Sequence, residues 1–153
     1  MKENDAFVPP AFDPPTALTV GDLRLEPLGP QHNERDYAAW TSSMEHIRSS
    51  PGYPDGRWPR EMSLEENLGD LERHAGDFRD RRGFTYTVLD ADDDVVGCVY
   101  VYPSDDGVHD TQVLSWVRES VADQDETLRR AVAEWITSDA WPFVHPLYDP
   151  LLP

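Results

Sequence analysis

The chain has 153 residues, enough for one compact domain with a core of its own. Apolar residues make up 39%, with five Trp, six Tyr and five Phe, more large apolar surface than a disordered chain carries. Against 30 acidic residues stand 13 Lys and Arg, a net charge of −17 that argues against DNA, RNA or an anionic membrane as main partner, since each needs a basic face.

Residues 1 to 21 are rich in proline and read as an irregular arm over 1–22, with Phe7, Val8 and Phe12 as anchors onto a single domain spanning 23–153. The opening "MKENDAFVPPAFDPP" lacks the basic start and apolar run of a signal peptide. No stretch approaches the roughly 20 apolar residues of a membrane helix. The expected setting is the cytoplasm. "LRLEPL" (23–28) alternates and predicts a half-buried strand. A helix over about 33–48 follows, with Asn33 as N-cap and Tyr37, Trp40, Met44 and Ile47 at helical spacing. "SSPGYPDGRWP" (49–59) predicts a loop that exposes Tyr53 and Trp58.

Ser63 and Glu66 form a capping-box pair, with Met62 ahead of them, and predict a helix over 63–82. Its apolar face is Leu64, Leu68, Leu71, Ala75 and Phe78, and Gly83 lies just past its end. "FTYTVLD" (84–90) and "VVGCVYVYP" (95–103) flank an acidic turn and predict a hairpin. "TQVLSWVR" (111–118) is a third strand. Leu128, Ala131, Val132, Trp135 and Ile136 mark a last helix over about 125–138. The tail has room for one short strand, interrupted by Pro142 and Pro146. The order is β-α-α-β-β-β-α, an α+β domain with a mainly antiparallel sheet flanked by helices.

That order, with "VVGCVYVYP" and "VLSWVR" followed by the amphipathic helix, resembles the GNAT family, the Gcn5-related N-acetyltransferases. The resemblance covers residues 23 to 136. It implies a sheet in which two neighbouring strands splay apart, and it implies acetyl-CoA as cofactor. In the family the turn before the last of these helices reads Q/R-x-x-G-x-G/A, and its backbone amides hold the cofactor's pyrophosphate. Here "QDETLR" (124–129) stands against it. Gln124 matches, but Thr127 replaces the first glycine and Arg129 stands at the second Gly/Ala position. The resemblance therefore assigns Trp116, Val117, Gln124, Thr127 and Arg129 to the cofactor, if the loop still works. Only 17 residues follow Ile136, so the C-terminal half of the family fold is expected to be incomplete.

The chemistry of the turn points the other way. Thr and Arg side chains obstruct the close approach that glycine permits. Asp123 and Glu126 stand in D-x-x-E spacing, which predicts a helix that caps itself. Carboxylates at a helix N-terminus are favourable by roughly 0.3–1 kcal/mol each and repel a phosphate. Arg118, Arg129 and Arg130 offset part of that repulsion.

Other constellations are weaker. Asp90, Asp92 and Asp94 have EF-hand spacing, but Val95 and Val101 occupy the positions of the required Gly and Glu, so a solvated hairpin tip is expected. Cys98, mid-strand among valines, is expected to be a buried, inert thiol and leaves no internal disulfide. The five histidines have no metal-binding spacing, and no metal is expected. In the family, the first helix and the loop after it wall the acceptor pocket. Tyr37, Trp40, Tyr53 and Trp58 are therefore assigned to substrate, with Trp116 beside them. An aromatic, acid-rimmed pocket suits a small cationic ligand. Core packing of Tyr37 and Trp40 is the competing reading. No catalytic residue can be assigned; Glu45, Glu119 and Tyr148 are candidate bases by residue type alone.

Two functions from different classes remain open. One is a GNAT-like binding or assembly module with a degenerate cofactor loop. The other is an acetyl-CoA-dependent N-acyltransferase acting on a small amine. The apolar 111–118 strand would lie near a sheet edge, which predicts a homodimer burying parts of 111–118 and 141–152 unless the arm or tail covers it.

Overall fold

Residues 6–53 and 57–153 are described by a computed structural model. Residues 1–5 and 54–56, the start of the arm and the middle of the 49–59 loop, lie outside the described residues. Six strands form one sheet in chain order: β1 (Leu18–Val20), β2 (Leu23–Pro27), β3 (Phe84–Leu89), β4 (Val95–Tyr102), β5 (Thr111–Val117) and β6 (Pro146–Leu147). Every neighbouring pair is antiparallel except β5 and β6, which run parallel. The helices are α1 (Asn33–Thr41), α2 (Met44–Arg48), α3 (Leu64–Arg79) and α4 (Asp125–Ile136). The α+β class and the mainly antiparallel sheet are as the sequence implies.

Strand alternation sorts the core into two layers. Val99, Val101, Val113 and Val117 face α4, where they meet Leu128, Val132 and Trp135. Cys98 and Trp116 face the other side, where they meet Trp40, Ile47 and Leu71 of α1, α2 and α3. Both faces are covered, so all six residues of β3 are buried. Cys98 is 1% exposed, and burial holds its thiol well above the ordinary cysteine range. Asp90 shapes the hairpin turn: its carboxylate accepts from the Asp92 and Asp94 amides at 2.9 and 3.0 Å.

Several local expectations change. Residues 18–20, read as part of an irregular arm, pair with β2 as β1 through a turn at Gly21, whose φ is +59°. The helix expected over 33–48 breaks at Ser42–Ser43 into α1 and α2. Asn33 is the first residue of α1 instead of its cap, because a turn of 3-10 helix (Pro30–His32) precedes it. Its amide bridges to α3, donating to the Leu64 carbonyl and accepting from Asn67. The Ser63–Glu66 capping box forms in both directions, at 3.0 and 2.9 Å. At the other end of α3 the left-handed residue is Arg81 at φ 64°, not Gly83. Gly83 serves packing: a Cβ there would stand 2.1 Å from the Tyr102 ring.

The arm and tail meet on the α4 side of the sheet. Phe7 stacks on Phe84 and Phe143, and Phe12 contacts Trp141. Val113, Trp116 and Val117 are each 1% exposed within the single chain. Among the described residues no helix is long and apolar enough to cross a membrane.

Candidate functional site

β6 pairs with only Thr111 and Gln112, at the start of β5. Beyond them the two segments part, and two side chains of this chain stand at Ser115. Tyr148 Oη and Ser115 Oγ are 2.6 Å apart. Arg129 reaches the same residue from α4, donating from Nη2 to the Ser115 carbonyl at 3.2 Å. Its Nε donates to both oxygens of Asp125 at 3.1 and 3.0 Å, and its guanidinium lies 5.8 Å from the centre of the Tyr148 ring. Arg129 is 6% exposed, Tyr148 1% and Ser115 0%. Burial pushes the Tyr148 phenol up to about 12.

The turn before α4 does not cap itself as its D-x-x-E spacing implies. Residues Glu119–Gln124 form 3-10 turns, broken at Val121 (φ −121°, ψ 25°), that lead into α4 without a gap. At the helix start the Asp125 N–H donates to the Ala122 carbonyl. Gln124 takes the N-cap place with no side-chain hydrogen bond. The carboxylates turn along the helix, Asp125 to Arg129 and Glu126 to Arg130 at 3.5 Å. An i,i+4 arginine competes successfully with the backbone amides for each carboxylate.

On the opposite face lies a cavity of about 270 Å³ that opens to solvent between α1, α3 and the sheet. Tyr53, Trp58 and Tyr100 supply aromatic wall, and Asp36, Asp70 and His74 supply polar wall. Asp36 is 4% exposed, and no ion pair joins it among the described residues. Asn67 Nδ2 donates to its Oδ2 at 3.1 Å. Burial raises its carboxyl to about 6. His74 is held down to about 4 by burial, and the Arg73 charge beside it adds to the effect. Tyr102 donates to Asp77, so its oxygen accepts from His74 Nδ1 at 2.8 Å, which leaves Nε2 as the bare nitrogen. Tyr53 is 6% exposed, and its hydroxyl is buried with no partner among the described residues.

No protein-family model and no curated protein matches the chain in sequence. Solved structures match it in shape. A RimL ribosomal L7/L12 alpha-N-protein acetyltransferase superposes with a TM-score of 0.62 at 14% identity, over 79% of this chain and 62% of that one. The ribosomal-protein-S5-alanine acetyltransferase from Vibrio fischeri gives 0.60 at 14% identity, over 80% and 67%. The microcin C7 self-immunity acetyltransferase MccE, solved with acetyl-CoA and AMP, gives 0.60 at 12% identity, over 80% and 65%. The fold is that of the GNAT acetyltransferases. This chain spans about two thirds of the length of those three structures.

The residues assigned to a GNAT cofactor are only partly brought together. Trp116 points to the far face, where its indole N–H donates to Tyr100 Oη at 2.9 Å, while Val117 faces α4. Gln124 and Thr127 lie at the start of α4, Thr127 exposed. Of the residues assigned to substrate, Tyr53 and Trp58 line the cavity. The loop buries Tyr53 and half-buries Trp58 instead of exposing both, because Trp58 packs against Trp40, Tyr53 and Trp116. Trp40 is core, donating to Asn67 Oδ1 at 3.0 Å, and Tyr37 donates to the Met62 carbonyl at 2.6 Å. Both border a separate depression beside Met44 and Glu66.

The candidate bases fare differently. Glu45 and Glu119 are exposed and outside the cavity lining, and Tyr148 is buried with a raised pKa. The carboxylates at the cavity are Asp36 and Asp70, which the sequence reading passed over. A signal was present: Asn33, Asp36 and Trp40 share one helical stripe, so two polar residues fall on the buried face of α1. Among the described residues, no group of three or more His, Cys, Asp or Glu side chains is arranged to hold a metal ion.

Proposed function

We propose that this GNAT fold acts as a binding module whose cofactor site is filled by its own side chains. The supporting observation is Arg129, a 6% exposed arginine that takes the Ser115 carbonyl, the Asp125 carboxylate and the face of Tyr148 at once. A cofactor there would have to displace three buried interactions, and it would meet the exposed acids Asp123 and Glu126. The ligand of the module is a small cationic molecule, held in the cavity by aromatic walls and the unpaired Asp36. The test is thermal unfolding with about 1 mM acetyl-CoA. A ligand with a Kd of about 10 μM would add about 2.7 kcal/mol at that concentration. The reading expects no shift; a rise of several degrees would overturn it.

A second reading, an acetyl-CoA-dependent N-acyltransferase for a small amine, is favoured by the MccE structure, which contains acetyl-CoA. It requires Arg129 to leave its buried place, and the cavity then receives the amine. The homodimer is likewise a proposal. The apolar side chains of β5 are already covered within the chain, Val113 and Val117 on the α4 side and Trp116 by Trp40 and Trp58, so the pairing surface moves to the exposed Val108 and Val144. Their neighbours are tied together, because Asp110 accepts from the Val144 and His145 amides.

A further inference from the structure

We infer that the cavity beside Asp36 is a site for a compact quaternary ammonium compound, one whose nitrogen carries four carbons and no N–H. This rests on the binding-module reading and names its ligand. Among the described residues Asp36 is a buried carboxylate without a paired cation, an arrangement that costs stability unless a ligand supplies the charge. Tyr53, Trp58 and Tyr100 line the same 270 Å³ space, and aromatic faces attract an onium group without asking for hydrogen bonds.

Acceptors on the inner wall are scarce. Asn67 Oδ1 is taken by the Trp40 indole, and Tyr100 Oη by that of Trp116. Asp70, at the wall, gives only Oδ1 to Arg73 at 2.9 Å, but its side chain is 34% exposed, so its other oxygen keeps its water. A primary ammonium brings three donors and finds Asp36 Oδ1 and His74 Nε2 open. A quaternary nitrogen has no such demand. Near neutral pH, His74 is uncharged, so Arg73 is the one cation among the described cavity-lining residues, and its side chain is 58% exposed.

The groups facing Asp36 are Asn67 and Asp70 from α3 and Cys98 and Tyr100 from β4, with Arg73 and His74 of α3 on the same cavity wall. With its carboxyl raised to about 6, Asp36 is charged above that pH and protonated below it. Binding of a permanent cation therefore weakens as pH falls through about 6.

Calorimetry with choline, tetramethylammonium, ethanolamine and the uncharged carbon isostere of choline tests the assignment. Choline should bind at least about tenfold more tightly than ethanolamine or the isostere. Asp36→Asn should lose choline binding about tenfold or more while remaining folded by circular dichroism. Ethanolamine binding as tightly as choline would overturn the quaternary assignment and leave the cation-binding module standing. Failure of all four to bind would overturn both the assignment and the cation site. Binding of acetyl-CoA would instead sink the filled-cleft reading and leave the choline result unaffected.

Discussion

Arg129→Met keeps the aliphatic stem and removes the guanidinium. The Ser115 carbonyl belongs to a fully buried residue, so leaving it without a donor costs about 1–3 kcal/mol. The lost contact with the Tyr148 ring adds about 0.5–1 kcal/mol. Asp125, whose side chain is 23% exposed, rehydrates in part, so the broken pair adds about 1 kcal/mol. Removing the desolvated guanidinium and burying a thioether give some of this back. The net expectation is a loss of about 3 kcal/mol, or roughly 6–12 °C in Tm for a domain of this size. Asp125→Asn should cost about 2 kcal/mol, because it strands a buried cation. The double variant should fall short of the sum by about 1–2 kcal/mol, since the residues share one network. Urea denaturation of the four proteins measures this cycle. Arg129→Met within about 0.5 kcal/mol of wild type would refute the reasoning and put the guanidinium in solvent.

Further outcomes follow from the cavity and the edge. Asp36 has its folded carboxyl raised from 3.8 to about 6, so its stabilising contribution is present below 3.8 and lost as pH rises towards 6. His74 is lowered from 6.5 to about 4, so its contribution is present above 6.5 and lost as pH falls towards 4. The two slopes oppose each other, and Asp36→Asn should stabilise the protein at neutral pH by on the order of 2 kcal/mol while exposing the acid-side loss from His74. Thermal melts across this range check it, and no gain at neutral pH would count against a buried, unpaired charge. Gly52 has φ +97° and would place a Cβ 2.5 Å from Leu114, so Gly52→Ala should cost about 1–3 kcal/mol and shift the neighbouring Tyr53, read by tyrosine fluorescence and melting. An unchanged melt would remove the argument that this glycine sets the loop. Light scattering at low and high salt should give a dimer that Val144→Asp returns to monomer; a monomer at both salts refutes the pairing surface.

Much of the fold was legible because its signals are local. The capping box at Ser63, the stripe from Leu128 to Ile136 and the alternating strands from Phe84 to Val117 each need only nearby residues. β1 was missed because three residues amid prolines carry no period, and their pairing depends on β2. The break at Ser42–Ser43 was hidden by apolar spacing that continues through it, although Ser43 Oγ accepts from the Glu119 amide 76 residues away. Arg129 was read as an obstacle to a ligand. Its partners are Ser115, 14 positions back, and Tyr148 in the tail, and no spacing rule joins those three. Asp123 and Glu126 have the spacing of a self-cap, but Gln124 takes the N-cap place, and Glu126, like Asp125, pairs with an arginine one turn on. The cavity was half seen: Tyr53 and Trp58 stood out in a loop, while Asp36 gained its meaning only when α3 and β4 closed over it.

Calorimetric titration of acetyl-CoA reads whether the cleft is filled. The wild-type protein should give no binding heat up to about 1 mM, a floor near −4 kcal/mol in affinity. A variant carrying Asp123→Asn, Asp125→Asn, Glu126→Gln, Thr127→Gly and Arg129→Ala should gain measurable affinity if it remains folded by circular dichroism. Micromolar binding by the wild-type protein, lost when the 123–129 turn is altered, would contradict the account.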